Sequence, residues 1–226
     1  MGIEEWIAAK KQSGEIKQIG FSFHGSYAEF EKLVDAYDWD FTQIQYNYVN
    51  VNYQAGQKGL LYAAGKGVPV FIMEPLLGGK LASKGVPLAL GWIWDQPSVT
   101  LLLSGMNAPE QVAENLSICE TALPGSFTER EKQAVSDIVA AFNKSYKIPC
   151  TGCGYCMPCP RMINIPACFE AYNNSYAISR IEGIKQYIVS VGAMSEKPRF
   201  ANDCIKCGAC EKRCPQSIEI RKKLKG

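Results

Sequence analysis

The chain has 226 residues, 47% of them hydrophobic, and a formal net charge of +2. That is enough apolar material for a substantial core in one or two domains. The near-balance of charge excludes the broad one-sign field that nucleic-acid binding demands. No uninterrupted apolar run reaches the roughly 18 residues of a membrane span, so a cytoplasmic location is expected.

The opening MGIEEWIAAKK reads as an amphipathic helix and not as a signal peptide. Apolar, β-rich runs then alternate with helical patterns. Strands are expected at 17–24, 41–48, 68–74 and 99–105, and helices at 27–37, 54–66, 87–95 and 109–119. Gly67-Val68-Pro69 marks a helix-to-strand turn, and Pro109 suits the first turn of a helix. This rhythm implies four βα units of parallel strands and crossover helices, preceded by one helix. Residues 127–143 read as a further helix, with Thr128 as N-cap and Glu131 completing a capping box. A linker at 144–149 leads to the cysteines, which places domains at 1–145 and 146–226.

Eight of the ten cysteines fall in two runs. Cys150, Cys153, Cys156 and Cys159 precede Pro160, and Cys204, Cys207, Cys210 and Cys214 precede Pro215. The second run is C-x2-C-x2-C-x3-C-P, the spacing of a bacterial iron–sulfur site, and the first is shorter by one residue. Three cysteines spaced by two residues can wrap one [4Fe–4S] cube. The cysteine before proline supplies the fourth thiolate to the other cube in two-cluster ferredoxins. The spacing therefore predicts one cluster on Cys150, Cys153, Cys156 and Cys214, and another on Cys204, Cys207, Cys210 and Cys159. Gly152, Gly154, Gly208 and Ala209 leave room for backbone N–H groups near anionic sulfides. Structural zinc fits less well, because it usually takes two separated C-x2-C pairs. Disulfides fit poorly in a chain read as cytoplasmic. Cys119 and Cys168 read as small buried or partly buried thiols. Between the runs, Ile178, Ile181, Ile184, Ile188 and Val191 recur at helical spacing, so the cysteine domain is expected to be mostly helical.

Gln43, Gln45 and Asn47 alternate along the second strand and so share a face. Ser22 and His24 share a face with Gly20, and Glu74 closes the third strand. These positions lie toward the C-terminal strand ends, where parallel folds place ligand sites; a satisfied internal hydrogen-bond network explains them equally. His24, the only histidine, reads as structural. Lys212 and Arg213, followed by Arg221, Lys222, Lys223 and Lys225, read as a solvated basic tail, or as a docking patch for an acidic electron carrier.

The segments IGFSFHG (19–25), FTQIQYN (41–47), GVPVFIMEPLLGGKL (67–81) and SVTLLLSGMNAPEQVAENL (98–116) resemble the second half of an aldo/keto reductase barrel. IPCTGCGYCMPCP (148–160) with ANDCIKCGACEKRCPQSIEI (201–220) resembles the C-terminal ferredoxin-type extension of one branch of that family. The resemblance implies the C-terminal half of a (β/α)8 TIM barrel, followed by a mostly α-helical 4Fe–4S dicluster domain. It also implies an NAD(P) site. Ser22 and Gln43 match residues that hold the nicotinamide carboxamide, Glu74 and Leu76 lie in the loop along the pyrophosphate path, and Glu114 and Asn115 match residues that meet the adenine. Met73 stands where the family often stacks an aromatic, Gly105 and Gln111 where NADP-dependent members carry Lys and Arg, and Phe23 where an Asn often follows the serine.

The family's catalytic Asp, Tyr, Lys and His belong to the first four strands, so no catalytic residue is assigned in this chain. A half barrel leaves two unpaired edges and an open lumen face. Three resolutions are open: a shortened form of a longer reductase, closure by a second copy or by a partner carrying the other half, or cover by the cysteine domain. The functional expectations are an iron–sulfur oxidoreductase lacking its own catalytic acid, or a non-catalytic electron-transfer module with the half barrel as a docking scaffold. In a third reading the metal is structural. An electron donor or acceptor protein is the expected partner.

Overall fold

Four short parallel strands, each followed by a helix, organise the first part of the chain. The computed structural model describes residues 2–193 and 196–225. The chain divides into two units, Met1–Lys132 and Gln133–Gly226, and the division runs through a helix upstream of the linker at 144–149.

The first unit opens with α1 (Ile3–Gln12), whose Glu4 and Glu5 lie in its first turn and Lys10 and Lys11 in its last. Both placements favour the helix dipole. Met1 of the expected opening helix lies outside the described residues. Then follow β1 (Gly20–Phe23), α2 (Tyr27–Asp35), β2 (Phe41–Gln45), α3 (Gly56–Gly65), β3 (Val70–Met73), α4 (Val86–Trp94), β4 (Leu101–Leu102) and α5 (Pro109–Thr121). The sheet order is β1-β2-β3-β4 and every pairing is parallel. The expected four βα units after one helix are therefore present.

Each strand is shorter than its apolar run, for local reasons. Ile19 donates its amide to the Asp40 carboxylate at 2.7 Å instead of to a ladder, so β1 begins one residue later. Asp40 also holds Lys11 Nζ at 2.6 Å, tying α1 to the start of the sheet. After β2 the Asn47 Oδ1 accepts the amides of Val49 and Asn50 and turns the chain out of the sheet. After β3, Glu74 takes a left-handed φ of 53°. β4 pairs with β3 alone.

One face of the sheet carries Thr42, Ile44, Val70 and Ile72, all fully buried. The helices supply Phe30, Val34, Leu60, Ala63 and Ile93 to the same core. Burial of each such aliphatic side chain stabilises by about 1.5–3 kcal/mol. Gly59 permits this packing, because a Cβ there would lie 2.7 Å from the Ala55 Cβ and 3.1 Å from the Phe30 ring. The other face bears a row running Ser22, Gln43, Phe71 and Leu101 across the four strands. Phe41 and Phe71 stack on that face with centroids 4.7 Å apart.

The helix α6 (Glu129–Ser145) spans the division. Thr128 caps it as the sequence suggests: its Oγ1 accepts the Glu131 amide, and the Glu131 carboxylate accepts the Thr128 amide at 2.7 Å. The second unit contains α7 (Ile165–Ala177), α8 (Arg180–Ser190), α9 (Ala209–Lys212) and α10 (Ile220–Lys223). α7 and α8 form a hairpin that closes tightly at Gly183, where a Cβ would sit 2.5 Å from the Ser175 Cβ and 2.8 Å from the Ala171 carbonyl oxygen. The isoleucine repeat at 178–191 does mark α8, but Ile178, Ile181, Ile184 and Ile188 are exposed and only Val191 is buried. Cys168 is buried as expected, whereas Cys119 is exposed on α5, because the helix turns it away from the core. Among the described residues no helix is long and apolar enough to cross a membrane.

Candidate metal centres

The first three cysteines of each run lie on loops with the same pattern of left-handed turns. In each C-x2-C-x2-C loop the third and fifth positions are left-handed: Gly152 (φ 78°) and Gly154 (φ 79°) in the first, Lys206 (φ 58°) and Gly208 (φ 76°) in the second. Such turns fold three cysteines around a common centre, and three of the four positions use glycine, which takes this conformation without strain. The likeness continues past the prolines. Met162 and Ser217, each three residues after the last cysteine of its run, are left-handed at 57° and 50°. Their amides bond to the Cys159 and Cys214 carbonyls at 2.7 and 3.1 Å. Beyond them Ile163 and Ile165 match Ile218 and Ile220, all four buried. In both copies the second isoleucine donates its amide to the first one's carbonyl and then starts a helix. The repeat unit is thus C-P-x-x-I-x-I, present in the sequence as CPRMINI and CPQSIEI. Reading only the cysteine spacing overlooks the isoleucines.

Each run lends its last cysteine to the other. Cys150, Cys153, Cys156 and Cys214 line one cavity, walled by Ile165, Phe169, Ile218 and Ile220. Cys204, Cys207, Cys210 and Cys159 line a second, walled by Ile165, Ile205 and Leu224. Phe169 and Leu224 are again equivalent, ten residues after Cys159 and Cys214. No disulfide joins any of the ten cysteines. Burial pushes the Cys156 thiol up to about 11, with smaller contributions from Cys150, Cys214 and Cys153 around the same cavity.

The donor set suits a thiolate-held cluster. Each cavity offers four thiols and no histidine or carboxylate. Four thiols with no nitrogen or oxygen ligand are the donor set of an all-cysteine iron–sulfur site.

The surrounding contacts hold the loops in place. The buried Asn173 side chain on α7 accepts the amides of Lys147 and Ile148, both at 2.9 Å, and donates to the Ile148 carbonyl at 2.8 Å. The Tyr146 hydroxyl donates to the Cys150 carbonyl. On the other loop, the Glu211 carboxylate holds Arg221 through its Nε at 2.7 Å and its backbone amide at 2.8 Å. This contact ties α9 to α10 and keeps the Glu211 carboxyl below its ordinary pKa range.

The residues matched to a nicotinamide site are only partly gathered. Ser22 and Gln43 are register partners on the same face. The Gln43 amide already donates to Met73 Sδ at 3.3 Å. Glu74 follows β3, with its carbonyl accepting from the Asn47 amide at 3.2 Å. Burial raises the pKa of its carboxyl. Leu76, two residues on, accepts the Leu81 amide in the same loop. On α5 Glu114 faces solvent, whereas Asn115 is buried and donates to Ser104 Oγ at 2.9 Å. Gln45 and Asn47, expected to form one face with Gln43, are both buried, and Asn47 lies beyond the strand. His24 also lies beyond the end of its strand and is exposed.

Two family matches coincide with these regions. Residues 4–87 match the aldo/keto reductase family, and residues 149–219 match the 4Fe–4S dicluster domain. A search of curated proteins finds no match to the chain.

Proposed function

We infer, from a chain that joins an aldo/keto reductase segment to a 4Fe–4S dicluster domain, an iron–sulfur oxidoreductase that holds two [4Fe–4S] clusters. Cys150, Cys153, Cys156 and Cys214 hold one, and Cys159, Cys204, Cys207 and Cys210 hold the other. The observation that carries this reading is the exchange of Cys159 and Cys214 between the two cavities. A bound cluster of this kind gains or loses a single electron. The eight thiols give up their protons on ligation. Ile165, Phe169, Ile218 and Ile220 keep water from the first site, and Ile165, Ile205 and Leu224 do so at the second. The left-handed turns at Gly152, Gly154, Lys206 and Gly208 are of the kind in which backbone amides line an anion site.

Anaerobic iron and sulfide analysis tests the reading, with about eight irons per chain expected. Cys214→Ser should disturb the signal of the site built on Cys150, and Cys159→Ser that of the site built on Cys204. About four irons in the parent chain, or each substitution disturbing only its own run's site, overturns the assignment.

NAD(P) binding is a second, separate proposal that rests on the aldo/keto reductase match and on the adjacency of Ser22 and Gln43. A titration with NADH and NADPH that shows no saturable binding removes it.

A further inference from the structure

A groove of about 710 Å³ in the second unit lies outside both cysteine cavities. That size falls in the range of small-molecule sites, roughly 300–1,000 Å³. Its walls come from α7, α8 and the end of the chain. Two of its lining residues are the equivalent pair Phe169 and Leu224. Phe169 also lines the cavity of Cys150, and Leu224 that of Cys204. A ligand in the groove would therefore lie one side chain away from each cavity.

The lining has a definite chemistry. Tyr172 and Tyr176 pack with ring centroids 5.4 Å apart and share a hydrogen bond between their hydroxyls at 3.3 Å. Lys147 Nζ holds Tyr176 from 5.5 Å. These contacts fix an aromatic wall in advance, which reduces the ordering cost of binding. Arg180, Lys223 and Lys225 add three cations, and no carboxylate is among the lining residues. Gly183, which also lines the groove, lets α7 and α8 cross closely beneath it.

We propose that this groove binds a planar aromatic anion, its ring against Tyr172 and Tyr176 and its phosphate, sulfonate or carboxylate against Arg180 and Lys223. The binding itself does not depend on the clusters; only its use as an electron-accepting or electron-donating site rests on the proposed function.

Equilibrium dialysis of the full-length, anaerobically purified protein against flavin mononucleotide and anthraquinone-2-sulfonate tests it, with iron measured on the same sample. Saturable binding of at least one probe is expected, with riboflavin about tenfold weaker than its phosphate. The double variant Arg180→Gln/Lys223→Gln should weaken the anionic probes by about tenfold and leave riboflavin unchanged. Tyr176→Leu should weaken all three. No saturation by either anionic probe below about 1 mM, or equal binding by parent and both variants, overturns the proposal. Probe binding in a sample that lacks iron leaves the groove standing and sinks the cluster reading instead.

Discussion

Asn173 and Ile148 exchange two hydrogen bonds: Asn173 Oδ1 accepts the Ile148 amide at 2.9 Å, and its Nδ2 donates to the Ile148 carbonyl at 2.8 Å. Ile148 lies two residues before Cys150, and its carbonyl also accepts the Cys150 amide at 2.8 Å. A side chain in the middle of α7 therefore sets where the first cysteine loop begins. Asn173→Leu leaves the amides of Lys147 and Ile148 without that partner, while the Ile148 carbonyl keeps the Cys150 amide, and should destabilise the second unit by about 3 kcal/mol. Iron should be lost from the cavity of Cys150 before that of Cys204. Thermal melting and EPR of the variant check both effects; a parent-like melt overturns the positioning role.

Gly183 and Gly65 form a matched pair of helical glycines. A Cβ at Gly183 meets Ser175 and Ala171 at less than 3 Å, whereas one at Gly65 meets nothing within 4 Å. Gly183→Ala should destabilise by about 1–3 kcal/mol through overpacking, which outweighs the helix propensity it gains. Gly65→Ala should stabilise by up to about 1 kcal/mol. Urea unfolding of both variants gives the comparison, and a stabilised Gly183→Ala would count against the tight crossing.

Lys206 occupies in the second loop the left-handed position that Gly152 fills in the first. The conformation costs a side-chain-bearing residue about 1–2 kcal/mol. Lys206→Gly should therefore raise stability by about 1 kcal/mol, and Gly154→Ala should lower it by about 1–2 kcal/mol, although that site has open space around it. Equal effects of the two substitutions on the melting temperature would show that backbone strain is not what distinguishes these positions.

Glu74 gives the sheet unit a pH dependence. Its Oε2 is buried without a hydrogen-bond partner among the described residues, and burial raises its pKa above the ordinary 4.5. Between the ordinary value and the raised one, the folded state binds more protons than the unfolded state, so stability falls as pH rises through that window. Glu74→Gln should flatten this slope and stabilise the protein more at pH about 8 than at pH about 5. Urea midpoints at the two values decide it, since an unchanged slope would place the titration elsewhere.

The strand–helix rhythm was legible because parallel strands here are short apolar runs between helices with clear caps, as at Ser26 and Thr128. Their ends were not, since side chains far off in sequence set them: Asp40 claims the Ile19 amide, and Asn47 turns the chain after β2. The cysteine spacing singled out the eight side chains that line the two cavities. The buried isoleucines after each proline were equally plain in the sequence, yet their period of two residues resembles neither a helix face nor a full strand. α7 was hidden for a related reason: its buried Asn173 looks polar in a pattern, although its amide is spent on backbone partners. The exposed isoleucines of α8 show the converse, a helical period without burial.

The exchange of Cys159 and Cys214 couples the assembly of the two centres. Neither run encloses its own cavity, so the first is complete only when Cys150 and Cys214 have met, and the second only when Cys159 and Cys210 have. Each closure spans the helical hairpin between the runs, and bringing the runs together for one cavity brings them together for the other, so the entropy of closure is shared. Damage to one proline-preceding cysteine is therefore felt first at the cavity built on the other run.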